Sequence, residues 1–199
     1  MPLSAKAFLR QEALKHRRVL SPADRTRQSA LIAEHVLQSE SFKWAATVAS
    51  YVSWATEPDT RLINETALTL GKTLLCPAAS AKPARASAQP ARASATPAWT
   101  RTTPDRRSTE AAAEDLAEAD LIIVPALLID AQGTRLGRGL GWYDRALRAA
   151  KPGAAIMALL FDEEFSEQTI PREPHDFPVN LAVLPGGIVG PLPVTQITH

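Results

Sequence analysis

The run Leu121-Ile122-Ile123-Val124, closed by Pro125, constrains the fold more than any other stretch of the chain. Three of its four apolar residues are β-branched, and it has no polar side to turn to water. As a strand it must be covered on both faces, which points to a parallel sheet between layers of helix. Ala155 to Phe161 has the same character, and Leu181 to Leu184 is a shorter run of the kind. Thr47 to Ser53 reads as a strand from its β-branched and aromatic content, and Thr73 to Cys76 as another, stopped by Pro77. Helices separate them. Asp59 and Thr60 can cap one that ends at Gly71, an acidic alanine-rich helix is expected around Thr109 to Ala117, and another near Tyr143 to Ala150. Two more come first. Ser4 to Val19 is expected to be amphipathic with Ala5, Phe8, Leu9, Ala13 and Leu14 near one face, and the N-cap Ser21 followed by Pro22 opens a helix to Leu37. The expected fold class is α/β: three α/β/α layers around a mostly parallel sheet, preceded by two N-terminal helices.

At 199 residues and 45% hydrophobic content, one domain spanning residues 1–199 is expected. With 22 basic against 21 acidic residues the net charge is +1, so neither nucleic acid nor an anionic membrane is an expected partner, and any anion site must be built locally. The N-terminus mixes apolar with basic residues and lacks the apolar run of a signal peptide, no segment approaches the length of a membrane span, and the single cysteine, Cys76, has no partner for a disulfide. The expectation is a cytoplasmic monomer. Residues 78–108 stand apart. Prolines fall at 83, 90, 97 and 104, PARASAQ is followed by PARASAT, and Trp99 is the one large apolar side chain, so the segment reads as a disordered Pro/Ala/Arg repeat. Its six basic residues against one acid leave open a weak anion-binding role beside that of a solvated loop.

The chemistry concentrates in IDAQGTRLGRGLGWYDRAL, where Gly137, Gly139 and Gly141 alternate with Arg138 and Leu140 before the helix near Tyr143. Glycines let consecutive N–H groups converge on an anion, guanidiniums such as Arg135 and Arg138 offer paired donors to phosphate oxygens, and Asp144 can hold a Mg²⁺ that bridges those oxygens. A glycine-rich loop can equally be a plain connection. Neither the dinucleotide nor the Walker pattern is met, since position 142 is Trp and no Gly-Lys-Ser/Thr occurs. Lys6 and Arg10, at i and i+4, share a helix side, as they would on a solvated basic face too.

VPALLIDAQGTRLGRGLGWYDRAL resembles the signature of the 5-formyltetrahydrofolate cyclo-ligase family. Lys6-Ala7-Phe8-Leu9-Arg10 is similar to that family's amino-terminal Lys-x-x-Leu-Arg, Tyr51-Val52-Ser53 through Glu57 to its strand-to-glutamate segment, and, more weakly, Ile170 to Asp176 to a later one. The chain departs from the pattern in the repeat, at Trp142 where tyrosine is usual, and at Asn180, Leu184 and Pro185. The resemblance implies ATP- and Mg²⁺-dependent conversion of 5-formyltetrahydrofolate to 5,10-methenyltetrahydrofolate, by phosphorylation of the formyl oxygen and ring closure. The alternative is a nucleotide- or folate-binding paralogue with little turnover.

By that resemblance ATP is held by Lys6, Arg10, Arg135, Gly137, Arg138, Gly139, Gly141, Trp142 and Tyr143, with Arg138 and Tyr143 catalytic. Asp144 and Asp176 take the metal. Val52, Trp54 and Glu57 contact the reduced folate, Glu57 accepting paired N–H donors from its ring, while Val52 and Trp54 are either apolar walls or core.

Overall fold

The structure, a computed structural model, describes residues 4–78 and 97–193. Helix α1 (Ala5–Val19) is capped by Ser4, whose side chain accepts from the Ala7 N–H, and α2 (Pro22–Gln38) by Ser21, which accepts from the Asp24 N–H. A short α3 (Glu40–Trp44) that the sequence did not suggest follows, capped by Ser39. The first strand, β1 (Thr47–Ala49), is shorter than the 47–53 expected, because from Ser50 the chain leaves the sheet toward the site. Then come α4 (Arg61–Thr69), β2 (Thr73–Pro77), β3 (Trp99–Thr102), β4 (Ser108–Ala111), β5 (Leu121–Pro125), β6 (Leu128–Asp130), β7 (Arg135–Leu136), α5 (Trp142–Ala146), β8 (Ala155–Leu159), β9 (Phe165–Ser166), β10 (Leu181–Leu184) and β11 (Gly187–Val189).

The main sheet has eight strands in the order β11-β10-β8-β5-β1-β2-β3-β4. Its centre, β10 to β2, is parallel, and antiparallel strands lie at both edges. In β5 alternate residues serve opposite faces. Leu121 and Ile123 join Ile32, Val36, Phe42 and Ile63 of the first three helices after α1, α2 to α4, on one side, while Ile122 and Val124 join Leu116, Trp142 and Leu147 on the other. All four β5 residues are buried, as a strand with no polar side requires.

Three expectations are corrected here. Residues 97–108, expected to be disordered, form the β3–β4 hairpin, and Trp99 is 1% exposed in the core; residues 79–96 of that segment lie outside the described residues. The pairing supplies what composition hid: β3 completes backbone hydrogen bonds left open by β2, and Trp99 packs on Trp142 at 5.2 Å. The helix expected at 109–117 is instead β4 followed by a 3-10 turn, Ala113–Glu118. The helix expected over 143–150 is five residues of α5 and a 3-10 turn at Leu147–Ala149.

A second small sheet, order β7-β6-β9, stands on the carboxyl ends of the parallel strands and was not foreseen. Its β6–β7 turn is set by Asp130, whose Oδ1 accepts from the Gln132 and Thr134 N–H groups and Oδ2 from the Ile170 N–H. Gly133, at φ +74°, is required there, since a Cβ would lie 2.3 Å from the Val179 carbonyl oxygen. Among the described residues, no helix is long and apolar enough to cross a membrane.

Candidate active site

The carboxyl ends of β1, β5 and β8 open toward one region, and four chain segments converge on it: α1, the loop 50–60 after β1, the glycine loop between β7 and α5, and the loop 173–177. Helix α1 docks with its basic side inward. Arg17 is 1% exposed and makes a double contact with buried Glu164 at 2.6 and 2.7 Å, while a further Nη2 bond at 2.5 Å reaches the Ala126 carbonyl. Phe8, expected on the inward face, is 55% exposed. The reason is what α1 packs against. Loops at strand ends present carbonyls and carboxylates, so cations at 6, 10 and 17 dock where an apolar stripe would dock on a sheet.

Arg10 donates from Nε to the Gly137 carbonyl at 2.9 Å, bringing its guanidinium onto the glycine loop. Each of the alternating glycines is in fact backed by a guanidinium. A Cβ at Gly137 would lie 3.3 Å from Nη1 of Arg135, one at Gly139 3.3 Å from Cζ of Arg10, and one at Gly141 3.1 Å from Nη1 of Arg145. Gly139 and Gly141 also have φ of +88° and +62°, which L side chains rarely adopt. Arg145, which sequence reasoning passed over, also donates to the Leu140 carbonyl. The loop is therefore a strip of bare backbone held among three positive charges. The short α5 makes its helix dipole a minor contributor, and the arginines supply the field instead.

Three cations at the site are paired with carboxylates. Lys6 meets Asp176 at 2.5 Å and Glu173 at 3.1 Å; Arg135 meets Asp144 at 2.6 Å; Arg138 meets Glu57 at 3.3 Å. Asp144 and Asp176 lie on adjoining chain, since the Asp144 Oδ1 that holds Arg135 also accepts from the Phe177 N–H at 3.2 Å. Burial opposes ionisation of Asp176, but the Lys6 ammonium and the Glu173 N–H outweigh it and hold its carboxyl below the ordinary range. An open depression of about 360 Å³ runs along the outer side of the loop, lined by Gly139, Leu140, Gly141, Asp144, Arg145, Arg148 and His175.

On the other side of the loop lies the turn 54–57, where the Trp54 N–H donates to Glu57 Oε2 at 3.0 Å and the Arg138 guanidinium sits 5.4 Å from the Trp54 ring centroid. Val52 and Trp54 are each 48% exposed, so neither is a core residue. Tyr143 lies at the meeting of the two cores, its ring 5.9 Å from the Arg135 guanidinium. Burial, and after it the negative charge of Glu57, push its hydroxyl well above the ordinary tyrosine range, so it remains a neutral hydrogen-bonding group. Trp142 is 7% exposed with its indole against Trp99 and Tyr143. Its ring belongs to the core beneath the loop, so any contact with a ligand falls to its backbone.

The residues present fit a magnesium-bound polyphosphate. Arg135 Nε is buried without a hydrogen-bond partner, a donor with capacity left beside its pairing to Asp144. Among the described residues no three His, Cys, Asp or Glu side chains cluster into a metal cage. A pair of carboxylates such as Asp144 and Asp176 suits Mg²⁺, which completes its octahedron with water and phosphate oxygens.

The sequence model of the 5-formyltetrahydrofolate cyclo-ligase family matches residues 2–185. The chain belongs to that family. The 5-formyltetrahydrofolate cyclo-ligase of Mycolicibacterium smegmatis is 34% identical over 143 residues, covering 70% of this chain and 73% of the relative. The mouse 5-formyltetrahydrofolate cyclo-ligase is 28% identical over 187 residues, 89% of this chain and 92% of the relative. Among solved structures, the 5,10-methenyltetrahydrofolate synthetase of Aquifex aeolicus shares the fold with a TM-score of 0.75 at 22% identity, over 98% of this chain and 97% of that one.

Proposed function

We propose that this chain, acting as a monomeric single domain in the cytoplasm, converts 5-formyltetrahydrofolate and ATP to 5,10-methenyltetrahydrofolate, ADP and phosphate. The Arabidopsis thaliana relative is named as a mitochondrial 5-formyltetrahydrofolate cyclo-ligase, so the compartment can differ between members. The observation that carries the reading is the glycine strip backed by Arg10, Arg135 and Arg145, with Lys6 beyond one end and Glu57 and Trp54 beside Arg138.

In this reading the polyphosphate lies along the strip, its oxygens on backbone N–H groups and on Lys6, Arg10 and Arg135. Asp144 and Asp176 would hold Mg²⁺, which neutralises phosphate charge as the terminal phosphoryl group transfers. Glu57 accepts the ring N–H donors of the folate, and Val52 and Trp54 flank that ring. The formyl oxygen attacks the terminal phosphorus and ADP leaves. The second folate nitrogen then attacks the activated formyl carbon, giving up its proton to water, and the C–O bond breaks to release phosphate. Arg138 reaches both substrates and stabilises the charge passing between them. The neutral Tyr143 hydroxyl orients the reacting oxygen and takes no proton from it.

The test is absorbance of the methenyl product from purified protein, 5-formyltetrahydrofolate and Mg²⁺, with and without ATP. ATP-dependent product that falls on the order of 10²-fold or more in Arg138→Ala supports the assignment. ATP binding without any product would transfer support to the non-catalytic paralogue.

A further inference from the structure

Arg138 makes two contacts that the site described above reserves for a ligand. Its Nε lies 3.3 Å from Glu57 Oε1, and its guanidinium carbon lies 5.4 Å from the centroid of the half-exposed Trp54 ring. Glu57 is held for this purpose. Its other oxygen accepts from the Trp54 N–H at 3.0 Å, and its side chain is 12% exposed. A guanidinium is a flat fork of N–H donors that pairs with carboxylate and stacks on aromatic faces. The 2-amino-4-oxopyrimidine edge of a reduced folate has the same two properties: adjacent N–H donors in the plane of a ring. Arg138 thus presents to Glu57 and Trp54 the chemistry of the ring that would displace it.

We infer that Arg138 is a built-in surrogate for the folate ring, holding its platform closed in the free protein, and that its displacement couples the two substrates. This rests on the folate and nucleotide assignments made above. Arg138 stands between Gly137 and Gly139 on the phosphate strip, so a guanidinium expelled from Glu57 is already beside the polyphosphate. A polyphosphate that draws Arg138 away leaves Glu57 partly buried and without its cation, ready for ring donors. Each substrate therefore tightens the other by the same factor, as linkage requires.

The coupling gives Arg138→Ala opposite signs for the two ligands, which an ordinary contact residue does not. Titrations of the full chain with 5-formyltetrahydrofolate in the absence of nucleotide, by calorimetry, should show roughly three- to tenfold tighter binding in Arg138→Ala than in wild type, the size of one partly exposed ion pair with a ring contact. A non-hydrolysable ATP analogue with Mg²⁺ should bind the same variant more weakly when folate is present. Glu57→Gln gives the reciprocal reading: the analogue should bind more tightly without folate, and folate should no longer alter its affinity. Folate binding that is weaker or unchanged in Arg138→Ala overturns the surrogate, as does unchanged analogue binding in Glu57→Gln. If wild type turns over folate yet neither variant shows these shifts, the inference fails alone. If wild type neither binds nor converts folate, the proposed function fails and the inference with it.

Discussion

Arg135 and the Phe177 N–H use the same oxygen of Asp144, Oδ1, so the metal role proposed for Asp144 is compatible with its pairing to Arg135. Asp144→Ala should therefore lose the Mg²⁺ dependence of the rate and lower turnover on the order of 10²- to 10³-fold, as expected when one charge-stabilising group is removed. Initial rates across a Mg²⁺ titration check this, and a variant that keeps the wild-type curve would remove Asp144 from the metal. The order Gly-x-Gly-x-Gly marked out the candidate phosphate loop, and Asp144 with it. What stayed hidden is that the middle glycine, Gly139, is backed by an arginine from elsewhere. Arg10 is 129 positions from Gly139, and no local pattern encodes such a distance. Asp130 was visible as part of the motif, yet its work, collecting three backbone N–H groups to set the turn before the loop, depends on a donor at Ile170.

Elements were legible where local signals act and illegible where docking decides. Ser4 and Ser21-Pro22 mark both helix starts correctly. The inward face of α1 was misjudged because its contacts are ionic. With Ala13 and Arg17 its buried residues, α1 depends on the Arg17–Glu164 pair. Arg17→Met should cost about 3–5 kcal/mol in urea unfolding, since it leaves Glu164 buried without its cation. Burial already pushes the Glu164 carboxyl up against the pull of Arg17. Adding Glu164→Leu should recover most of the loss, because two desolvated charges are exchanged for packing. A double variant as unstable as the single one would show that the pair is not the anchor. At the amino ends of the parallel strands Asp120 has a comparable role at the surface, accepting from the Ala46 and Thr47 N–H groups and pairing with Lys151. Burial works against its ionisation, but those donors prevail and its carboxyl lies below the ordinary 3.8. A carboxyl depressed by folding contributes stability that is present above its unfolded pKa and fades as pH falls through the folded one. The urea midpoint should accordingly drop below about pH 4, and Asp120→Asn should start lower at neutral pH and fall less steeply; parallel curves would exclude this contribution.

At the scale of the whole molecule, the runs at 121–124, 155–161 and 181–184 were enough to place a parallel sheet under helices, because a strand without a polar side leaves few alternatives. The edge β3–β4 was lost for the converse reason: its composition is polar, and what orders it is pairing with β2 and the burial of Trp99. That edge also bears on whether the basic repeat carries function. Arg101 is paired with Asp115 and Glu118, and Arg107 with Asp105, so part of the segment's positive charge is already neutralised within the fold. The two ends of the remainder are neighbours, since the Ala78 N–H donates to the Ala98 carbonyl at 2.9 Å. A two-residue Asn-Gly turn has the geometry to join strands at such a pair. Replacing residues 79–97 by Asn-Gly should therefore leave turnover within about twofold and the thermal midpoint unchanged or slightly raised, a shorter loop having less entropy to lose on closure. A deletion extended through Trp99 should instead unfold the edge, at about 3–5 kcal/mol for the lost aromatic alone. If the Asn-Gly variant folds, binds ATP and loses turnover, the repeat takes part in folate chemistry; if turnover persists, the chemistry resides in the segments that meet over the strand ends.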